Sequence, residues 1–599
     1  MDQATQSQLV GKALELGLRC YRSGNYAEAE AVFSKALTIA PDNFDANHFM
    51  GIICLIKKQF EPAVSYLLKA IKLNPESGDA YHHMGFALLE LDKKPLALEH
   101  FKKAISLKPN LSASYRGMGD IYSSQGDLQS AIEHYQLAIN YDPVSVKALN
   151  NLGNVYKTQS RLKEAVSCYR KARQADPGRL DIFSNELMCL ATDLSVPGAE
   201  YLKVAKEYAR LARKRSQLYT AWPALELKAK KVLRIGFVAA DFRRHVVAKL
   251  FEGALRKLSE YPVELIAYHN NWMPDDAVTE RMKPCFSEWN DVFHINDPEL
   301  AKKIYADRID ILIDMSGHSA HNRLPVFAYK PSPVQLSWMG FFASTGLTEI
   351  DYFGAGKVAS PVRNNPDFTE EVWQFKSSQC LAMLDIEFER QFDCTPYQKN
   401  GFFTFGCMNR VDKVSDEVIR LWAEILHELP DARFYIDSWL FGDEGFKQQF
   451  ITRLEGFGVS ADRFTLASHD GTYAGYLSAF REIDLVLDTF PYNGSTVNME
   501  ALWMGVPYVS LMGSSVISRT GAAMLEGVNL QELVAADHGE YVQKAVDMAR
   551  YPDKLMSVKN RLRESLPESG FFNPEIMAQQ LFTDFTKMWS IFVERASSR

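Results

Sequence analysis

The segment Ile483-Asp484-Leu485-Val486-Leu487-Asp488-Thr489-Phe490-Pro491-Tyr492-Asn493-Gly494-Ser495-Thr496-Val497-Asn498-Met499-Glu500 reads as a buried strand, a loop closed by Gly494, and a helix starting at Ser495 or Thr496. Free N–H groups and the dipole at a helix start attract a phosphate. Ser495 and Thr496 can cap that helix or donate hydroxyls to the anion, and Glu500, one turn in, is spaced to hold a ribose diol. An ordinary capped helix fits the same residues. Lys413 follows the strand Phe402–Cys407 within Asn409-Arg410-Val411-Asp412-Lys413, and ligands of α/β folds bind at the carboxyl ends of strands. A lysine there can neutralise a leaving diphosphate, although a solvated loop lysine has the same local sequence. His245 follows another strand, in Asp241-Phe242-Arg243-Arg244-His245, where a neutral imidazole can take a proton from a nucleophile. His318, in Ser316-Gly317-His318-Ser319, sits at a matching strand end and competes with it as a cleft residue, and His469 is a third such histidine.

Other chemistries find no support. The chain has no Gly-x-x-x-x-Gly-Lys-Ser/Thr loop, no Gly-x-Ser-x-Gly elbow, no His-Glu-x-x-His and no Asp-x-Asp metal clasp, so no metal site or metal cofactor is expected. The eight cysteines are scattered without a Cys-x-x-Cys pair, which fits reduced thiols in a cytoplasm. A net charge of −7 gives no general attraction to nucleic acid or to an anionic membrane. Met1–Gly11 lacks the basic and apolar regions of a signal peptide, and no run of about 18 apolar residues occurs. The expectation is a cytoplasmic protein with neither nucleic-acid nor membrane partners.

The elements that must position these residues follow from periodicity. Proline stands at 41, 75, 109, 143 and 177, and glycine at 17, 51, 85, 119 and 153, each 34 residues after the last. Alanine keeps the same step at 29, 63, 97, 131 and 165 and again at 36, 70, 104, 138 and 172, as does a large apolar column, Phe33, Leu67, Phe101, Tyr135 and Tyr169. This is the tetratricopeptide pattern, so residues 1–177 are expected to form five repeats of paired helices. Residues 178–230 read as a helical cap and linker, with a hinge at Gln217–Lys230. From Lys231 the texture becomes strand–helix: Val232–Ala239, Val263–His269, Ile309–Met315 and Val334–Trp338 form one series. Phe402–Cys407, Ala432–Ile436, Phe464–Ala467, Ile483–Leu487 and Tyr508–Leu511 form a second. Two Rossmann-like lobes, 231–394 and 395–570, are expected to face a cleft, and 571–599 to supply a C-terminal helix reaching back to the first lobe.

Taken together, LRIGFVAADFRRH (233–245), IDILIDMSGHSAHNRL…KPSPVQLSWMGF (309–341), FGCMNRVDK (405–413) and DTFPYNGSTVNMEALWMGVP (488–507) make the chain resemble the protein O-GlcNAc transferases and their SPINDLY-type O-fucosyltransferase relatives. These are GT-B enzymes with a tetratricopeptide array, and the chain is similar to a compact bacterial-type member. The resemblance implies that His245 lies near donor diphosphate and acceptor, that Lys413 neutralises the leaving diphosphate, that Thr496 and Val497 stand where two successive threonines meet the phosphate, and that Glu500 holds the ribose. Pro333 and Gln335 fall in a segment taken as structural. Some residues depart from the O-GlcNAc transferase pattern: Ser495 replaces a histidine, Val497 lacks a hydroxyl, Arg410 replaces a base-contacting glutamine, Tyr476 replaces a histidine near the base, and Phe342 replaces a proline. The asparagine ladder of the animal enzyme is mostly missing, its column here being Glu15, Phe49, His83, Gly117 and Asn151.

The resulting expectation is an inverting O-glycosyltransferase acting on Ser or Thr of proteins selected by the repeats. UDP-GlcNAc is the first donor, with Arg410, Tyr476 and Gly494–Val497 around it and no metal needed. GDP-fucose, or a sugar nucleotide used on flagellin, is the alternative, and a non-catalytic tetratricopeptide adaptor is the alternative of another class. The sequence leaves open whether His245 is the base or a positioning group.

Overall fold

A computed structural model of the protein describes residues 3–193, 195–222, 232–381, 395–469 and 471–598. The repeat columns form ten helices: α1 (Gln3–Arg22), α2 (Tyr26–Ile39), α3 (Phe44–Ile56), α4 (Phe60–Leu73), α5 (Gly78–Glu90), α6 (Lys94–Leu107), α7 (Ser112–Ser124), α8 (Leu128–Tyr141), α9 (Val146–Thr158) and α10 (Leu162–Ala175). Both alanine columns are fully buried. The glycine column has a steric cause: a Cβ on Gly17, Gly51, Gly85, Gly119 or Gly153 would lie 2.6–2.7 Å from the side chain of Phe33, Leu67, Phe101, Tyr135 or Tyr169. Each proline of the fifth column stands two residues beyond the second helix of its pair, where a helix cannot continue. In the column that departs from an asparagine ladder, His83 Nδ1 lies 3.0 Å from His48 Nε2, and Asn151 Nδ2 donates to Asp120 at 2.8 Å.

The chain divides into two compact units, Met1–Ile182 and Phe183–Arg599. Most of the expected cap therefore belongs to the second unit. There, α11 (Leu180–Thr192) and α12 (Gly198–Lys214) supply Ser184, whose hydroxyl is 3.2 Å from His318 Nδ1, and Tyr201, which donates to Ser344 O at 2.6 Å. Arg213 reaches Thr348 Oγ1 at 2.6 Å and pairs with Glu349. Most of the expected hinge, and the lobe boundaries at 230/231 and 394/395, fall on or beside residues outside the described ones.

Two parallel sheets follow. The first contains β1 (Leu233–Ala239), β2 (Val263–His269), β3 (Glu288–Asp291), β4 (Ile311–Asp314), β5 (Val334–Trp338), β6 (Tyr352–Gly356) and β7 (Glu371–Phe375), in the order β3-β2-β1-β4-β5-β6-β7. The second contains β8 (Thr404–Cys407), β9 (Arg433–Asp437), β10 (Phe464–Ala467), β11 (Leu485–Leu487), β12 (Tyr508–Leu511) and β13 (Val534–Ala535), in the order β10-β9-β8-β11-β12-β13. Strand order reverses between β1 and β4 and again between β8 and β11, and a doubly wound sheet opens its ligand crevice at such a point. The strands not anticipated from the sequence are β3, β6, β7 and β13. β3 is a polar edge strand, β6 is Gly-interrupted, and β13 has two residues, so none of these three presents the apolar run that marks a central strand; the edge strand β7 has only five residues, with Glu371 and Gln374 among its buried apolar ones. The C-terminal helix Pro574–Ser597 buries Met577, Leu581, Phe585, Met588 and Trp589 in the core of the first lobe, while Phe571 and Phe572 just before it lie in the core of the second.

Candidate functional site

β1 runs into a loop fixed at several points. Phe242 is fully buried and its carbonyl accepts from Thr279 Oγ1 at 2.8 Å, while Arg244 N donates to Asp276 at 2.6 Å. The loop ends at His245, the N-cap of α13 (Val246–Leu258). His245 Nδ1 lies 3.3 Å from Val247 N and 3.5 Å from the carboxylate of Asp241. Two neutral tautomers are thereby accommodated: Nδ1 accepting from Val247, or Nδ1–H turned to Asp241 with Nε2 left as an acceptor. Burial lowers the ring pKa below its usual value and the Asp241 charge opposes this, while burial raises the Asp241 carboxyl.

In the second sheet the loops after β8 and β11 meet. Lys413 ends a short 3₁₀ turn, Val411–Lys413, and its Nζ donates to Asn493 O at 3.0 Å and lies 3.8 Å from the Tyr492 ring centroid. Arg410 is exposed at the start of that turn. The loop holding Asn493 is closed by fully buried Asp488, which accepts from Gly494 N at 2.7 Å and Ser510 Oγ at 2.7 Å. Burial pushes the Asp488 carboxyl up to about 6. Gly494 is required by close approach, since a Cβ would lie 2.4 Å from Asn498 Oδ1. The helix Thr496–Trp503 follows.

Several expected roles change here. Ser495 is the N-cap residue of that helix but its side chain makes no capping bond; it lies 3.2 Å from Gln379 Nε2 of the first lobe. No side-chain cap therefore occupies the helix start, which keeps it available to an anion. Thr496 is half-buried, whereas Val497, lacking a hydroxyl, packs against the core of the second lobe. Glu500 is buried, with Tyr473 and Tyr476 hydroxyls each 2.8 Å from its carboxylate and Lys249 of the first lobe paired to it. Tyr476 also meets His469 edge-on, and His469 Nδ1 lies 2.6 Å from Asp437. His318 does not line an open cleft: it is 2% exposed, Nδ1 faces Ser184 and Nε2 lies 3.1 Å from Thr345 O. Burial drives its pKa down to about 3, so it is a neutral packing residue between α12 and the first lobe, edge-on to Tyr208. Gln335 is likewise buried, its amide donating to Phe327 O and Glu349 O.

Both switch points thus carry the expected residues, His245 on one sheet and Lys413 with Gly494–Thr496 on the other. Cross-lobe contacts bring them together. Lys249 is one turn along α13 from His245, and Glu500 is one turn along its helix from Thr496, so their ion pair sets the two helix starts side by side. The Phe342 and Tyr492 rings, 5.8 Å apart, and Arg519, which donates to Val358 O at 2.8 Å, add further links.

Glycosyl transferase family 41 matches residues 203–381 and 397–581, which cover both lobes. The chain belongs to glycosyl transferase family 41. Tetratricopeptide families match within 21–178. An Arabidopsis thaliana protein named probable UDP-N-acetylglucosamine–peptide N-acetylglucosaminyltransferase SPINDLY is 32% identical over 381 residues, 62% of this chain and 41% of that protein. A Petunia hybrida protein of the same name is 30% identical over 382 residues, 62% of this chain and 40% of that one. The chain spans about two fifths of the length of these curated relatives. A solved structure of a Lys-to-Met mutant of the Thermobaculum terrenum O-GlcNAc transferase superposes with a TM-score of 0.76 at 26% identity, over 87% of this chain and 98% of that one. The fold is accordingly a tetratricopeptide array followed by the two Rossmann-like lobes of a GT-B protein.

For this family 41 chain, local sequence did not single out Lys249, Tyr473, Gln379 or Asp488 as site residues. Lys249 stands four residues after His245 and Tyr473 three before Tyr476, helical spacings that put each pair on one face. Asp488 is the acidic residue directly after a buried strand. Gln379 carries no comparable signal. Among the described residues no three His, Cys, Asp or Glu side chains are grouped to hold a metal ion, and no helix is long and apolar enough to cross a membrane.

Proposed function

We propose that the protein is an inverting protein O-glycosyltransferase that moves a sugar from a nucleoside diphosphate to a Ser or Thr hydroxyl, with UDP-GlcNAc as the first donor. The observation that carries this reading is the juxtaposition of two helix starts, one bearing His245 and the other preceded by the loop on which Lys413 rests. A diphosphate between them meets the Lys413 ammonium and the uncapped N–H groups at Thr496 and Val497. The acceptor oxygen attacks the anomeric carbon from the face opposite the diphosphate. As that bond forms, the bond from the anomeric carbon to the diphosphate oxygen breaks, and Lys413 and the helix start receive the growing charge. His245 takes the hydroxyl proton at Nε2, with Asp241 steadying the imidazolium through Nδ1–H. Both leaving-group contacts come from the chain itself, so turnover should persist in excess EDTA, and a complete loss reversed by Mg²⁺ or Mn²⁺ would contradict the scheme.

The repeats supply the selection of acceptor proteins. One observation favours a second donor. Arg410 stands exposed beside Lys413, and a guanidinium suits the O6/N7 edge of guanine. Calorimetry with UDP, GDP and CMP, followed by mass spectrometry of acceptor proteins incubated with the matching sugar nucleotide, tests the assignment. UDP should bind tightest. GDP tighter by more than tenfold, about 1.4 kcal/mol, moves the donor to GDP-fucose. Binding of none of the three, with no transfer, returns the chain to a tetratricopeptide adaptor.

A further inference from the structure

Resting on the nucleoside-diphosphate reading above, we propose that Lys249 is a positioning residue of the donor site, holding the Glu500 carboxylate from the opposite lobe so that one acceptor position on Oε2 stays open to a ribose hydroxyl. The count of hydrogen bonds leads there. Oε1 of Glu500 accepts from Lys249 Nζ and from Tyr473 OH at 2.8 Å. Among the described residues, Oε2 accepts from Tyr476 OH at 2.8 Å alone. Each carboxylate oxygen offers two lone pairs, so three donors fill Oε1 and leave one position on Oε2. A ribose hydroxyl is a donor of the kind that this remaining lone pair takes.

Lys249 is the cation in this set. Its side chain is 26% exposed against 4% for Glu500, and its ammonium sits 3.7 Å from the centroid of the Tyr473 ring. A buried carboxylate deprived of its cation is strongly unfavourable and turns or takes up a proton to relieve it. Either change removes the oriented acceptor. Because Lys249 lies on α13 and Glu500 on the helix of the other lobe, the ribose subsite is complete only when both lobes contribute. A methionine of similar length keeps the apolar part of the side chain and removes only the charge.

The test compares UDP with 2′-deoxy-UDP and 3′-deoxy-UDP by calorimetry, or the GDP series where GDP binds the wild type tighter. Wild type should favour the ribonucleotide over at least one deoxy analogue by about tenfold. Lys249→Met should bring that ratio to within about threefold of unity while keeping the affinity for the deoxy analogue, which also shows that the variant is folded. Lys249→Arg should restore the preference. A Lys249→Met protein that keeps the wild-type ratio overturns the proposal, as does one whose affinities for ribo and deoxy forms fall in parallel, or a wild type without ribose preference. Failure of wild type to bind any nucleoside diphosphate would instead remove the function proposed above.

Discussion

Lys413→Ala should leave the fold intact and remove most of the turnover. Its ammonium rests on a loop carbonyl and an aromatic face, so its removal takes little from the core. What it loses is a charge contact made mainly as the diphosphate departs, on the order of 3 kcal/mol, or about a hundredfold in kcat/KM. Steady-state rates together with a thermal midpoint check this, and activity within twofold of wild type would remove Lys413 from the scheme. His245 predicts a pH profile. Burial lowers the imidazole pKa from its ordinary value near 6.5, so the neutral base predominates at neutral pH and is lost as pH falls through the lowered value. The acidic limb of kcat/KM should therefore lie below pH 6.5, and His245→Ala should be slow at every pH with that limb absent. An unchanged limb in the variant would leave His245 outside proton transfer. At this scale the sequence placed Lys413, His245 and Gly494–Thr496, all in loops at carboxyl ends that the strand pattern located, but passed over Asp488, which follows its strand directly. It was illegible where the partner is remote. Lys249 meets Glu500 across 251 positions, and its spacing from His245 is the only local mark that sets it apart from a solvated helix lysine. His318 illustrates the converse error, since its strand-end position is real but residues from the preceding helical segment cover it.

Among the elements, the glycine column offers the sharpest energetic contest. Gly85→Ala replaces a poor helix former by the best one, a gain of about 1 kcal/mol in an exposed helix. Here the new methyl would stand 2.6 Å from Phe101, whose ring is fully buried and packs edge-on against Phe86. Overpacking of that kind costs about 1–3 kcal/mol, so the clash should outweigh the propensity and the variant should melt at lower temperature. Gly126→Ala makes a useful contrast. Its φ of +81° strains any Cβ although no atom lies within 4 Å, so a loss there reflects backbone conformation alone. A Gly85→Ala protein as stable as wild type would mean that Phe101 yields easily. The repeats were legible because each column recurs five times and each recurrence has the same steric cause. The edge strand β3 lacked any such signal, unlike the edge strand β10: β3 is half exposed and polar, so hydrophobic patterning never marks it, and its place is fixed by pairing with β2. The helix start at Thr496 is intermediate. Its position was readable from Gly494 and the preceding strand, but the turning of Ser495 toward Gln379 depends on the other lobe.

For the molecule as a whole, the division into two compact units separates the roles assigned above. Every residue proposed for the donor site lies in the lobes, and none in the repeats. Removing residues 1–177 leaves a chain that starts just before α11, which begins at Leu180 and whose Ser184 supports His318. The truncated protein should therefore keep its affinity for the nucleoside diphosphate within about threefold by calorimetry. It should also retain any hydrolysis of the sugar nucleotide that the full chain shows with water as acceptor. Modification of full-length acceptor proteins should fall by at least tenfold, because the surface that gathers them is gone while the chemistry is untouched. Quantitative mass spectrometry of the acceptor, set beside the calorimetry, reads both arms in one preparation. Efficient modification by the truncated enzyme would place acceptor selection in the lobes. Loss of nucleotide binding together with modification would show instead that the repeats are needed to hold the second unit in its active form.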